Sequence, residues 1–207
     1  MKFQAKASAD FTPVPAGSHI AICNAVVDVG LQSGSGLYPD PKHQVYIRFE
    51  LPTERLKFKR DDKEVEGPMV IGKFFTASMS KKSNLRKFIE GWFAKQFTSD
   101  EKASAFDISD LIGKRCLLTV THTERGEKTY ANINASGPIP KGMKSDYKPE
   151  NPLIVFDLNE PDEEMFGRLP TWLCEKINKR MDEKKATTTE TVASDDFVDD
   201  NLDDVAF

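Results

Sequence analysis

Residues 44–51 of this chain, Gln-Val-Tyr-Ile-Arg-Phe-Glu-Leu, alternate along their length. A period of two puts Val45, Ile47, Phe49 and Leu51 on one strand face and Tyr46, Arg48 and Glu50 on the other. The alternation returns over 114–122, with Cys116, Leu118 and Val120 inward, and over 128–136, with Ala131, Ile133 and Ala135 inward. Residues 19–29 and 69–77 are also β-prone. Between the third and fourth of these runs, Leu85, Phe88, Ile89, Trp92, Phe93 and Gln96 recur at helical spacing behind Ser83, a suitable N-cap. The pattern predicts three strands, a helix, then two strands.

That order is the order of the OB-fold, a five-stranded partly open barrel with a helix between its third and fourth strands. The expected class is therefore mainly β with helices, and an unrelated α+β sheet of the same order is the alternative. Residues 1–16 read as an irregular lead-in, ending in Thr12-Pro13-Val14-Pro15, which cannot be helix interior. Residues 17–137 form the barrel domain, with loops expected at 31–42 and 52–68. Residues 138–185 form an extension with a short strand at Leu153–Leu158 and a helix starting near Pro170. The helix carries an apolar stripe of Leu169, Trp172, Leu173, Ile177 and Met181. Residues 186–207, Thr-rich and then Asp-rich, lack the large apolar groups of a core and read as a disordered tail.

The 207 residues are 39% hydrophobic and 30% charged. No apolar run approaches the ~18–20 residues that span a bilayer, and Lys2, Lys6 and Asp10 interrupt any secretory core. Cys23, Cys116 and Cys174 are widely spaced and fit small buried hydrophobes in a reducing cytoplasm. The net charge of −4 conceals an asymmetry. Residues 186–207 contribute −7, whereas residues 1–150 hold 23 basic against 18 acidic side chains, for +5. A mildly basic body with an acidic tail points towards nucleic acid and a tail that competes for the same surface.

Enzyme constellations do not emerge. The glycines of 30–36 lack a phosphate-loop lysine, and His19, His43 and His122 fall in no metal spacing. His122 with Glu124 is a thin basis for a nuclease. No catalysis, metal or cofactor is expected. Single-stranded nucleic acid, in contrast, is held by cations along its backbone and by aromatic rings on which bases stack. Tyr46 and Arg48 share the outer face of the second strand. Tyr130 with Lys128 and Asn132 share that of the fifth. Lys73 and Phe75 share that of the third if Phe74 points inward. Lys81, Lys82, Arg86 and Lys87 follow closely, and Arg55-Leu56-Lys57-Phe58-Lys59-Arg60 again interleaves basic and apolar groups.

The last thirteen residues repeat paired aspartates every four positions, each pair followed by apolar groups, and end on Asp203-Asp204-Val205-Ala206-Phe207. A terminal Phe offers a ring for a pocket and a carboxylate for a basic cleft. This tip resembles the protein-interaction tips of bacterial and phage-type single-stranded-DNA-binding proteins. The segment GKFFTASMSKKSNLRKFIEGW and the extra C-terminal helix look most like a phage-encoded member. The resemblance implies an OB-fold body that coats single-stranded DNA without sequence preference, in a bacterial host cytoplasm. It also implies a tail that recruits replication or recombination proteins such as a polymerase, helicase or recombinase. Membrane association is not expected, and self-association is left open because the extension departs from the bacterial type. The competing reading is a DNA-mimicking or anti-nuclease protein acting through its acidic tail.

Overall fold

Ile20-Ala21-Ile22-Cys23 and Ala25-Val26-Val27 form near-continuous apolar runs in the first strand, the composition of a strand buried on both faces. The computed structural model describes residues 12–181, apart from Ser35, Leu37, Tyr38, Asp61 and Asp62. The chain forms β1 (Gly17–Gln32), β2 (Lys42–Arg60), β3 (Lys63–Thr76), α1 (Asn84–Phe93), α2 (Asp100–Ser104) and a 3-10 turn at Ile108–Leu111. There follow β4 (Arg115–Arg125), β5 (Lys128–Gly137), β6 (Ile154–Phe156), α3 (Glu163–Gly167) and α4 (Thr171–Asn178). Five strands pair in the order β3-β2-β1-β4-β5, every neighbour antiparallel. They curl into a half-barrel compatible with an OB-like barrel. The edge strands β3 and β5 face each other, and the Lys73 ammonium on β3 donates to the Ile133 carbonyl on β5 at 3.0 Å.

The alternating residues of β2 and β4 point inward as the sequence predicts. Val45, Ile47, Phe49, Leu51, Cys116, Leu118 and Val120 all enter the main core. Helix α1 closes this core with Leu85, Phe88, Ile89 and Trp92, and the Phe49 and Trp92 rings meet at 5.4 Å. Ser83 caps the helix by accepting from the Leu85 amide, again as predicted. The helix ends sooner than its periodicity suggests. Ala94 adopts a left-handed conformation (φ 48°), so Gln96 lies outside and Phe93 is exposed. Burial raises the Cys23 thiol to about 12 and also raises Cys116, consistent with their reading as core hydrophobes.

Bulges account for two departures from the expected faces. One between Thr119 and Val120 in the β4–β5 ladder shifts the phase of β5, so Ile133 is buried but Ala135 is exposed. The other lies in β2 between Leu51 and Arg55 and accommodates Pro52, which has no N–H to give a ladder. Beyond it β2 resumes pairing, so the loop expected at 52–68 is a two-stranded arm with Leu56 opposite Gly67 and Phe58 opposite Val65.

The second face of β1 is covered by the residues after β5. β6 pairs parallel to β1 at Ala25–Val27, past the point where β4 has left it. Ile154, Phe156, Leu169, Leu173 and Ile177 then pack on Ala25, Val27, Val29, Tyr46 and Phe74 to form a second core. Pro170 stands just before α4 rather than as its first residue. A buried carboxylate fastens the segment leading to β6. Glu50, fully buried, accepts from the backbone amides of Glu150 and Asn151 and from the Asn151 side chain, each at 2.8 Å. Arg115 adds two donors to the Tyr147 carbonyl, at 2.8 and 2.6 Å. Glu50→Gln would turn a donating NH₂ towards those amides and should destabilise the fold by about 1–3 kcal/mol. Urea denaturation of the two proteins checks this; an unchanged midpoint would show that the clasp contributes nothing.

Candidate nucleic-acid interface

The residues singled out from sequence fall into three separate environments. Tyr46, expected on an open outer face, is only 4% exposed. Its ring packs against Phe74 at 4.7 Å and edge-on to Trp172 at 5.4 Å, beneath the C-terminal extension. A stacked base has no access to it there. Phe75 is corrected as well. It points into the barrel against Phe88 at 4.9 Å, and Phe74 is the outward residue, covered by α4 with the Lys176 ammonium 4.4 Å above its ring. Arg48 is half-buried; desolvation lowers its pKa, and its Nε donates to Asn24 at 3.1 Å. The open face predicted for β2 is therefore an interior one, because the extension requires an apolar bed.

Lys81, Lys82 and Arg86 surround the start of α1. Arg86 is buried and structural: it donates to Glu90 at 3.0 Å, Asp100 at 2.7 Å and the Met79 carbonyl at 3.2 Å. The Arg86 bond holds Asp100 below the ordinary carboxylate range, and the Phe97 amide followed by Arg86 does the same for Glu90. Their depressed values contribute stability above the ordinary carboxylate pKa, which is lost as pH falls through the folded values. Lys81 lies on the surface 3.7 Å from Asp100, and Lys82 is exposed in the same turn. These lysines belong to the entry of α1, not to the outer face of a strand.

The third group does converge. A cleft of about 650 Å³ lies over the gap between β3 and β5. Lys73 comes from one edge strand, and Tyr130 and Asn132 from the other. Tyr130 stands opposite Thr123, Asn132 opposite Thr121 and Lys128 opposite Arg125, so the two strands of this hairpin present one continuous row. Tyr130 is partly open to solvent and Lys128 is exposed. The Lys73 ammonium lies 5.5 Å from the Phe75 ring, and its bond to Ile133 carries it across the mouth. The arm completes the cleft with Leu56 and Phe58. Sequence reading placed those two in a loop and overlooked Arg125. The signal was present in the two-residue spacing of Leu56 and Phe58, which resumes the β2 alternation after Pro52.

Among the described residues, no group of His, Cys, Asp or Glu could hold a metal ion. The histidines serve local structure: His19 contacts the Pro15 carbonyl and Glu54, His122 the Val14 carbonyl, and His43 Asp28. No helix among the described residues is long and apolar enough to cross a membrane. Asp203, Asp204, Val205, Ala206 and Phe207 lie outside the described residues, as does the tail expected at 186–207. No protein family, curated protein or solved structure matches this chain.

Gly72 links the cleft to the second core. It stands opposite Arg48 on β3, and the Tyr46 phenol lies over it, where a Cβ would otherwise be. An aromatic ring laid across a strand glycine fills the missing volume. Gly72→Ala forces that ring away from Phe74 and Trp172 and should destabilise by about 1–3 kcal/mol. Tyr46→Ala empties the same space and should cost about 3–5 kcal/mol. Thermal or urea unfolding measures both. Wild-type stability in Tyr46→Ala would contradict the packing described here.

Proposed function

We propose that the cleft between β3 and β5 binds single-stranded DNA without sequence preference, on an OB-like barrel that keeps the strand unpaired. The observation that carries this reading is the meeting of Tyr130 and Lys73, from opposite edge strands, in one open cleft. A ring beside an ammonium supplies both elements of single-strand binding, stacking on a base and neutralisation of a phosphate. Asn132, whose NH₂ donates to the Thr123 hydroxyl at 3.1 Å and the Tyr130 carbonyl at 3.5 Å, adds a neutral carbonyl acceptor to the cleft wall. Paired bases keep their faces within the duplex, so the ring favours unpaired strands. Neither catalysis nor a cofactor enters this reading. The acidic tip, Asp203–Phe207, is proposed to recruit replication or recombination proteins, its aspartates steering the encounter and Phe207 anchoring it. Competition between tail and DNA for the basic cleft follows from the charges of −7 and +5.

Fluorescence titration with oligo-dT and with a matched duplex, at two salt concentrations, tests the proposal. The single strand should bind more tightly, and Tyr130→Ala should weaken it by about 1–3 kcal/mol. Lys73→Ala or Lys128→Ala should each lower the salt slope by about 0.7, the loss of one phosphate contact on a single strand. Equal affinity for single strand and duplex would favour the DNA-mimicking reading.

Deleting residues 195–207 should strengthen binding at low salt, with a smaller gain at high salt as screening weakens the tail's competition. Phe207→Ala should abolish capture of a helicase, polymerase or recombinase while leaving DNA affinity nearly unchanged. Truncation without effect on either would leave the tail a solubilising appendage.

A further inference from the structure

The β2–β3 arm carries an uncovered apolar face. Past the bulge, Leu56, Phe58 and Val65 continue the inward row of Leu51, Met69 and Ile71, yet they are 36%, 43% and 37% exposed. Apolar side chains on a projecting hairpin are a liability for aggregation, so their presence calls for an occupant. The arm's root is held in place. Arg55, on the opposite face, donates to Glu66 at 3.1 Å and to Glu150 at 2.5 Å, next to the amide that Glu50 accepts. The Phe58 ring rests on Gly67, where an added Cβ would lie 3.2 Å from the ring. The ring therefore has backing on one side and the cleft on the other.

We propose that Phe58 is a second stacking platform, making the arm one jaw of a clamp whose other jaw is the β4–β5 hairpin with Tyr130. This inference rests on the single-strand reading of the cleft and assigns it a residue and a grip. Both rings line the same cleft from opposite hairpins. Charge selects the occupant. Among the residues lining the cleft, Lys73 and Arg125 are cations and none is an acid, and Arg125 stands opposite Lys128 on the β4–β5 hairpin. An anionic chain bearing flat apolar groups satisfies cations and rings together, and single-stranded nucleic acid is such a chain. The arm itself is mixed in charge, with five cations and four acids over residues 55–66, so the selection comes from the cleft.

The test compares Phe58→Ala, Phe58→Leu and Phe58→Tyr in the full chain, using oligo-dT and an abasic strand of equal length. The Ala and Leu variants should weaken oligo-dT binding roughly 5- to 150-fold, the range for one lost stacked base, and the Tyr variant should keep it. On the abasic strand all three should bind like the unaltered protein, which a merely structural role of Phe58 would not produce. If Phe58→Ala lowers the urea midpoint, Phe58→Leu carries the comparison, since it keeps an apolar side chain. Unchanged oligo-dT affinity in the Leu variant overturns the clamp. If Tyr130→Ala still weakens binding in that case, the single-strand reading stands alone. If no variant or strand shows binding, that reading itself fails. Loss of self-association in sedimentation, with DNA affinity retained, would assign the arm to a second copy and also overturn the clamp.

Discussion

A strand that is apolar on both faces needs two covers, and β1 is such a strand. Its inner face, with Ala21, Cys23 and Val26, belongs to the main core that α1 closes. Its other face, with Ala25, Val27 and Val29, would meet water if the chain ended at β5. Each large aliphatic side chain left exposed there forfeits about 1.5–3 kcal/mol. The C-terminal extension prevents that loss. Its attachments follow from the same requirement: β6 adds to β1 where β4 departs, and Leu173 and Ile177 of α4 seal the bed. Glu50 and Arg115 hold the connecting segment by its backbone.

That cover removes the outer face of β1 and β2 from the surface. With the outer face of β1 and β2 interior, a cleft among the described residues lies at the mouth between the edge strands β3 and β5 and the two hairpins that flank it. Edge strands normally invite further strand pairing. Here Lys73 spans the mouth, and its charge discourages an added strand while favouring an anion. The site and the extension are thus consequences of one packing problem. With the cover on the outer face, Lys73 and Tyr130 line the cleft at the gap instead.

The inward faces of β2 and β4, the helix stripe and its Ser83 cap were legible because period and capping are local properties. The phase of β3 was not. Phe74 and Phe75 are adjacent and equally apolar, and only the tertiary fact of two cores tells them apart. Tyr46 misled for a related reason. Its position opposite the Val45 row is correct, but alternation cannot reveal that a distant segment covers the second face. The near-continuous apolar runs of β1 on either side of Asn24 held that information, since a half-exposed strand would alternate. Pro52 masked the arm by resembling a loop signal, although a bulge admits proline without ending the strand. Lys73 and Tyr130, 57 residues apart, meet only through the curl of the sheet.

The fixed position of Lys73 bears on how a strand would be received. An ammonium has three donors, and the Ile133 carbonyl accepts one of them. A charge-assisted bond from this ammonium to a phosphate would be roughly twice as strong as a neutral one. The same ammonium stands 5.5 Å from the Phe75 ring, a second contact that holds it at the mouth. The Tyr130 row is ordered in the same way by its ladder to β4. Cation and ring thus stand on the two facing edges of the half-barrel. The bond that bridges the barrel mouth is also the one that positions its charge.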